Sequence, residues 1–109
     1  MFRTASQQKK ICKMCPIAKA ADLVGDSVVL IIIRELISGP KRFGDMVESL
    51  GGVSTRTLTQ KLKKLEAHNI VSRTEYKEKP PRVEYSLTSK GKGLKKIVSA
   101  LLSYGEQYL

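Results

Sequence analysis

Residues 55–66 contain the side chains of this chain that are best suited to recognition chemistry. Arg56, Gln60 and Lys63 recur at intervals of four and three residues, so on a helix they lie on one face. Arginine, glutamine and lysine are the side chains that hydrogen-bond the base edges in the major groove of duplex DNA. The spacing therefore indicates a helix with one face able to contact nucleic acid.

The other face of this helix is apolar. Leu58, Leu62 and Leu65 recur at i, i+4 and i+7, which places them on one stripe that can pack on a core. A helix that is apolar on one side and basic on the other can rest on a domain and touch a ligand at the same time. An ordinary solvated helix face is the alternative interpretation of the basic side.

We predict different roles within the basic face. Arg56 and Gln60 are expected to read base edges, and Lys63 is expected to bind phosphate. Hydroxyl and backbone N–H groups near the start of the helix can add phosphate contacts. The predicted DNA contacts of this segment are Ser54, Thr55, Arg56, Thr57, Thr59, Gln60, Lys63 and Lys64.

Positive charge is concentrated around this segment. The 109 residues include 20 Lys and Arg against 10 Asp and Glu, a formal net charge of +10. Residues 51–96 hold twelve of the basic and four of the acidic residues, and residues 1–20 hold five basic residues and no acidic one. Such clustering is typical of proteins that bind phosphate backbones or anionic membranes, although a merely basic soluble protein shows it too.

The neighbouring sequence predicts a helix-turn-helix. Apolar residues within 43–50 recur at helical spacing, and the glycine pair at 51–52 ends that helix. Ser54 or Thr55 can cap the next helix, and Asn69 can end it in the left-handed conformation. Two short helices joined by a tight turn that contains glycine are the pattern of this motif.

Two more helices are predicted before it. Pro16 is well placed in the first turn of a helix that Gly25 stops. Residues 28–37 are rich in β-branched side chains, which favours a strand, but their length and the glycine–proline stop that follows favour a helix. We predict a buried helix that Asp26 or Ser27 caps.

A β-hairpin is predicted after the helix-turn-helix. Residues 70–76 and 82–88 alternate in polarity around a proline-containing turn, and residues 41–43 are expected to be a short extended link. A stiff basic tip can follow the DNA backbone or enter the minor groove. Arg82 can instead bind Glu84 or a backbone carbonyl. The predicted DNA contacts of the hairpin are Lys77, Lys79 and Arg82.

A broad apolar stripe predicts one final helix at about 88–109. The stripe is wider than the core of a small domain requires, so we predict a surface between two subunits, with a purely internal role left open. Residues 15–24 are expected to join it. The predicted interface residues of the last helix are Ile97, Leu101, Leu102, Tyr104 and Tyr108.

Together these elements predict a mainly helical α+β fold. It is a winged helix-turn-helix with a two-stranded hairpin wing and extra terminal helices. We expect residues 1–13 to be a basic, mobile arm and residues 14–109 to be one domain, with the helix-turn-helix at about 43–68 and the wing at about 70–88.

Cys12 and Cys15 form a Cys-x-x-Cys pair. Zinc within one chain would need two more ligands, and His68 is the remaining nitrogen donor, so a metal site would require a second chain. Cys15 precedes a helix, whose dipole favours a thiolate, and Lys13 adds positive charge. The alternatives are a redox-active cysteine and a small buried side chain that only fills space. No cofactor is expected.

These residues resemble the HxlR-type transcriptional regulators, a winged-helix family related to the MarR-type regulators. The resemblance covers about residues 12–109. It rests on Cys15-Pro16, residues 33–37, 39–46, 53–66 and 80–88, and on Gly91, Leu94 and Tyr104-Gly105.

The resemblance implies a homodimer, with terminal helices at the interface and two recognition helices presented to DNA. Several members of this family sense oxidants or electrophiles through a cysteine that matches Cys15, with which Cys12 could form a disulfide. One departure is notable. Members usually have Gly-Gly-Lys-Trp where this chain has Gly25-Asp26-Ser27-Val28, so packing at the start of the second predicted helix should differ.

Other classes of function fit less well. The chain has no Ser-His-Asp set, carboxylate pair or phosphate-binding glycine loop, so we do not expect an enzyme, and its Cys pair lacks the βαβ setting of an oxidoreductase. The longest apolar run, residues 28–33, is too short to span a membrane, so we expect a cytoplasmic protein. The expected partners are double-stranded DNA and a second copy of the chain. A basic module that binds RNA or a protein partner is the alternative, and any small-molecule effector is unknown.

Overall fold

The chain folds into helices around a small antiparallel sheet, in the order of a winged helix-turn-helix. The structure is a computed structural model that describes residues 15–109. The predicted arm at residues 1–13, including Cys12, lies outside the described residues. The elements are α1 Pro16–Val24, α2 Ser27–Ile37, β1 Lys41–Arg42, α3 Phe43–Ser49, α4 Thr55–Ala67, β2 Val71–Tyr76, β3 Arg82–Leu87, α5 Ser89–Lys92 and α6 Lys95–Tyr108.

Helix α2 is the centre of the core, which confirms the helix prediction for this β-branched segment. Val29, Ile32, Ile33 and Leu36 are almost fully buried on one of its faces. The carboxylate of Asp26 accepts hydrogen bonds from the backbone N–H groups at the start of the helix and caps it. Burial of the apolar face and a satisfied N-terminus outweigh the strand preference of the individual side chains.

The helix-turn-helix consists of α3 and α4. Met46 of α3 is buried, and so is the leucine stripe of α4, which faces the same core. The turn between the helices passes through Gly52, whose φ of 102° is a backbone conformation that other residues rarely adopt. Asn69 has a φ of 60° just after α4, as predicted for a left-handed helix end.

The sheet contains the predicted two-stranded wing, β2 and β3, and β1 adds a third strand to it. Its order is β1-β3-β2 and both pairs are antiparallel. Lys41 and Arg42, which were predicted to lie in a short extended link, pair with Tyr85 and Glu84 of β3. A segment of two residues is too short to show the alternating polarity by which a strand is recognised in a sequence. Its pairing also depends on a partner more than forty positions away.

The last predicted helix is also divided in the structure. Helix α5 begins after Thr88, whose hydroxyl accepts a hydrogen bond from Gly91 N–H at 3.0 Å, and α6 follows from Lys95. Gly91 is buried, and the backbone of Ile70 passes so close that a Cβ at this position would overlap its carbonyl oxygen. Helix α6 packs against α2. No helix within residues 15–109 is long and apolar enough to cross a membrane.

Candidate nucleic-acid interface

Helix α4 presents the predicted basic face to solvent. Its leucine stripe is almost fully buried, and Arg56, Gln60 and Lys63 are exposed on the opposite side. None of these three side chains has an ion pair or a hydrogen bond to another residue within 15–109. Three long polar side chains that point outward without internal partners can all bind a ligand without first breaking a contact.

The start of α4 is held by its own hydroxyl groups. Ser54 Oγ accepts a hydrogen bond from Thr57 N–H at 3.1 Å and donates one to Thr57 Oγ1 at 3.0 Å. Thr59 Oγ1 donates to the carbonyl of Thr55 at 2.8 Å. Ser54 is therefore the N-cap, and the Thr59 hydroxyl already has a partner within the helix. Thr55 is exposed beside the positive end of the helix dipole.

Two other lysines of α4 turn away from this face. The ammonium of Lys61 forms an ion pair with the carboxylate of Asp26. The ammonium of Lys64 donates a hydrogen bond to the carbonyl of Asp22 at 3.1 Å. Lys64 was among the predicted DNA contacts, but its charge is bound to the junction between α1 and α2. The Lys61 contact was not predicted from the sequence.

The Lys61 ammonium stabilises the charged form of the Asp26 carboxyl. The hydrogen bond from the Lys61 ammonium lowers the pKa of the Asp26 carboxyl below its ordinary value of 3.8, while partial burial opposes this shift. The backbone N–H groups of Val29 and Val28 add to the lowering. Asp26 therefore joins α4 to the start of α2. It lies in the stretch Gly25-Asp26-Ser27-Val28, where the resemblance predicted that packing should differ.

The tip of the hairpin carries two free cations. Lys77 and Lys79 are exposed, with no ion pair to any residue that the structure describes. The hairpin projects from the core, since residues 72–75 of β2 are exposed on both faces. These lysines can therefore reach a large ligand that lies beside α4.

Arg82 differs from these two lysines. Its guanidinium lies 3.2 Å from Glu78 and 3.5 Å from Glu84, and it stacks over the ring of Tyr76 with 4.1 Å to the ring centroid. These contacts correspond to the structural role that was the alternative prediction for Arg82. Arg82 stiffens the wing where the two strands meet the turn. To contact DNA as predicted, its guanidinium would have to share its charge between phosphate and the two glutamates.

Cys15 lies at the N-cap of α1. It is half-buried, forms no disulfide, and its side chain makes no capping hydrogen bond. Cys12 lies outside the described residues, so the geometry of the pair is not defined. Cys15 is partly exposed to solvent, so a small reagent can reach its thiol.

The predicted dimer residues form an apolar surface on α6. The exposed fractions are 50% for Leu101, 60% for Leu102, 59% for Tyr104 and 64% for Tyr108, and Ile97 is half-buried. Such values are high for large apolar side chains in one surface region. On α1, Ile17 is 79% exposed, and this residue was not singled out by its sequence pattern.

Comparison with known proteins identifies the family. A family model described as HxlR-like helix-turn-helix matches residues 23–109. The chain belongs to this family. A relative from Synechocystis sp., the HTH-type transcriptional regulator sll1512, is 41% identical to this HxlR-type chain over 96 residues, which is 88% of the chain and 71% of the relative.

Solved structures agree with this assignment. A transcriptional regulator of the MarR family from Porphyromonas gingivalis superimposes with a TM-score of 0.85 at 30% identity, over 88% of this chain and 94% of that one. The redox regulator HypR in its reduced form superimposes with a TM-score of 0.81 at 37% identity, over 84% and 91%. The HxlR-type chain therefore has the winged-helix fold of HTH-type transcriptional regulators.

Proposed function

We propose that this chain is a sequence-specific regulator that binds double-stranded DNA as a homodimer. The observation that carries the proposal is the exposed face of α4. Arg56, Gln60 and Lys63 have no partners among residues 15–109, while the opposite leucine stripe fixes the helix on the core. A helix held in this way can lie in the major groove, where its side chains reach base edges and phosphates.

Each side chain of this face has an expected role. Arg56 reads guanine through two hydrogen bonds, Gln60 reads adenine, and Lys63 binds phosphate. Thr55 and the N–H groups at the start of α4 bind a second phosphate, and Lys77 and Lys79 of the wing bind the backbone or a neighbouring minor groove. Arg82 supports the wing beside its turn, because its guanidinium is already paired with Glu78 and Glu84.

The homodimer rests on the apolar surface of α6. Leu101, Leu102, Tyr104 and Tyr108 are at least half exposed, and a second copy would cover them through a two-fold axis. Two α4 helices related by that axis would read a pseudo-palindromic site. Its half-sites would lie about one helical turn apart, roughly 34–36 Å.

Redox control through Cys15 is the second part of the proposal. It is supported by the half-buried free thiol at the start of α1 and by the similarity to HypR, which is named a redox regulator. In this proposal the thiols of Cys15 and Cys12 form one disulfide, and the oxidant takes up two electrons and two protons. Diamide should change DNA affinity in the wild type and leave Cys15→Ser unchanged. Equal responses of the two proteins would contradict redox control.

The test of the DNA proposal is a binding titration with genomic fragments at increasing salt. A sequence-specific protein keeps a preferred fragment as salt rises, because its base contacts persist while phosphate contacts weaken. Loss of all fragments together would support the alternative, a basic module for RNA or a protein partner.

A further inference from the structure

The junction between α1 and α2, residues 22–26, forms a negative site beside the recognition helix. The carbonyl of Asp22 lies in the last turn of α1, where the helix dipole is negative. The Asp26 carboxylate follows at the N-cap of α2, and the Lys61 ammonium is bound to it. We call residues 22–26 the α1–α2 corner.

Helix α4 binds this corner through two lysines on one flank. Lys61 pairs with the Asp26 carboxylate, and Lys64 donates to the Asp22 carbonyl at 3.1 Å. The two lysines are three residues apart and therefore lie side by side on the helix. They lie between the buried leucine stripe and the exposed face with Arg56. The leucines hold α4 on the core, and the lysines tie one of its flanks.

Ties on a single flank restrain rotation of the helix about its own axis. The surface of a helix lies about 6 Å from its axis, so a rotation of about 10° moves a surface group by about 1 Å. A displacement of that size is enough to disrupt a pair of hydrogen bonds to one base, whose lengths vary by only a few tenths of an ångström. Phosphate contacts through flexible lysines tolerate it better.

We infer that Asp26 and Lys61 are positioning residues for base reading, with the Lys64 contact to Asp22 as a second tie. This inference rests on the proposed DNA-binding function. The pair sets the rotation of α4 and thereby aims Arg56 and Gln60 at the base edges. Lys61 acts through Asp26 and does not itself contact DNA, because its ammonium is already bound.

The experiment compares Lys61→Met and Asp26→Asn with the wild type. Methionine keeps the apolar stem of the lysine, and asparagine keeps the helix cap, so both variants should fold, as thermal unfolding will verify. Affinity is measured for the duplex that the wild type enriches from a random pool and for a shuffled duplex of the same composition. We expect the ratio of the two affinities to fall roughly threefold to tenfold in each variant.

The two substitutions change the net charge in opposite directions. If long-range charge dominated, one variant would bind DNA more tightly and the other less tightly. If both variants lose sequence preference, the cause is therefore the positioning of α4 and not the net charge. The double variant should lose no more than either single variant. Lys63→Met is the control. Loss of a phosphate contact weakens binding to both duplexes alike, and it reduces the slope of log affinity against log salt concentration by about one.

Three results would overturn the inference. The first is a ratio of the two affinities in Asp26→Asn that equals the ratio in the wild type. The second is a reduced salt dependence of DNA binding in Lys61→Met, which would make Lys61 a phosphate contact. A wild-type protein that prefers neither duplex would overturn the proposed function and this inference with it. If the wild type prefers one duplex, either of the first two results overturns the inference alone.

Discussion

At the scale of single residues, the four basic side chains of α4 fall into two groups. Arg56 and Lys63 are free and exposed, whereas Lys61 and Lys64 bind the α1–α2 corner. Helical spacing predicted the first group, because that face depends only on positions within α4. It did not predict the Lys64 contact, because the partner of Lys64 lies 42 positions earlier and is brought near only by folding.

Arg56 gives the most direct prediction at this scale. Arg56→Ala should weaken binding to the preferred duplex by about 1–3 kcal/mol if the side chain reads a guanine, and should relax selectivity at that base pair. A gel-shift titration measures both effects. Lys96→Ala is a suitable control, because it also removes one positive charge and Lys96 is exposed on the side of α6 opposite the apolar stripe. Unchanged affinity of Arg56→Ala would remove this residue from the interface.

Asp26 predicts a dependence of stability on pH. Its pKa is lower in the folded chain than in the unfolded chain. The stabilisation is therefore complete above about pH 4 and is lost as the pH falls through the folded-state pKa. Asp26→Asn should lower the free energy of unfolding by about 0.5–1 kcal/mol at pH 7. In urea titrations the difference from the wild type should shrink toward pH 3, and a constant difference would contradict the assignment.

At the scale of elements, the sequence predicted α1 to α4 and the hairpin because each has a local signal. Pro16, the Asp26 cap and the leucine stripe are examples, and each was found as expected. Strand β1 and the break between α5 and α6 were missed. Strand β1 pairs with β3, and Gly91 of α5 packs against Ile70, so residues from elsewhere in the chain contact both regions. Local patterns do not contain such contacts.

Gly91 tests the packing of α5 against the hairpin. Gly91→Ala should destabilise the fold by about 1–3 kcal/mol, because the new Cβ would overlap the carbonyl oxygen of Ile70. Gly44→Ala is the matched control, since a methyl group at that position would meet nothing within 4 Å and alanine favours a helix. Thermal unfolding should therefore give effects of opposite sign, and equal effects would contradict the packing described for α5.

At the scale of the whole molecule, the proposed function depends on an apolar surface that the single chain leaves open. Leu102 on α6 is 60% exposed, and its aromatic neighbours are similarly accessible. The sequence predicted this surface from the breadth of the stripe. It did not predict the exposure of Ile17, because a lone apolar residue on a short helix carries no periodic signal.

Leu102→Glu should convert the proposed dimer into a monomer and reduce affinity for the preferred duplex at least tenfold. The reasons are that a buried carboxylate without a partner opposes association, and that one α4 helix binds only a half-site. Sedimentation and gel-shift titration measure the two effects. Ser103→Glu is the control, because it adds the same charge to an exposed position on the side of α6 opposite the apolar stripe. It should leave both the dimer and the DNA affinity unchanged. A dimeric Leu102→Glu protein would contradict the proposed interface.

The central claim is that two α4 helices read a duplex through the face that carries Arg56 and Gln60. Selection of bound DNA from a random pool of duplexes tests it most directly, with the wild type and Arg56→Ala run in parallel. We predict that the wild type enriches an inverted repeat whose half-sites are about one helical turn apart, and that the variant loses preference at one base pair of each half-site. A pool that stays random with the wild-type protein would contradict the claim.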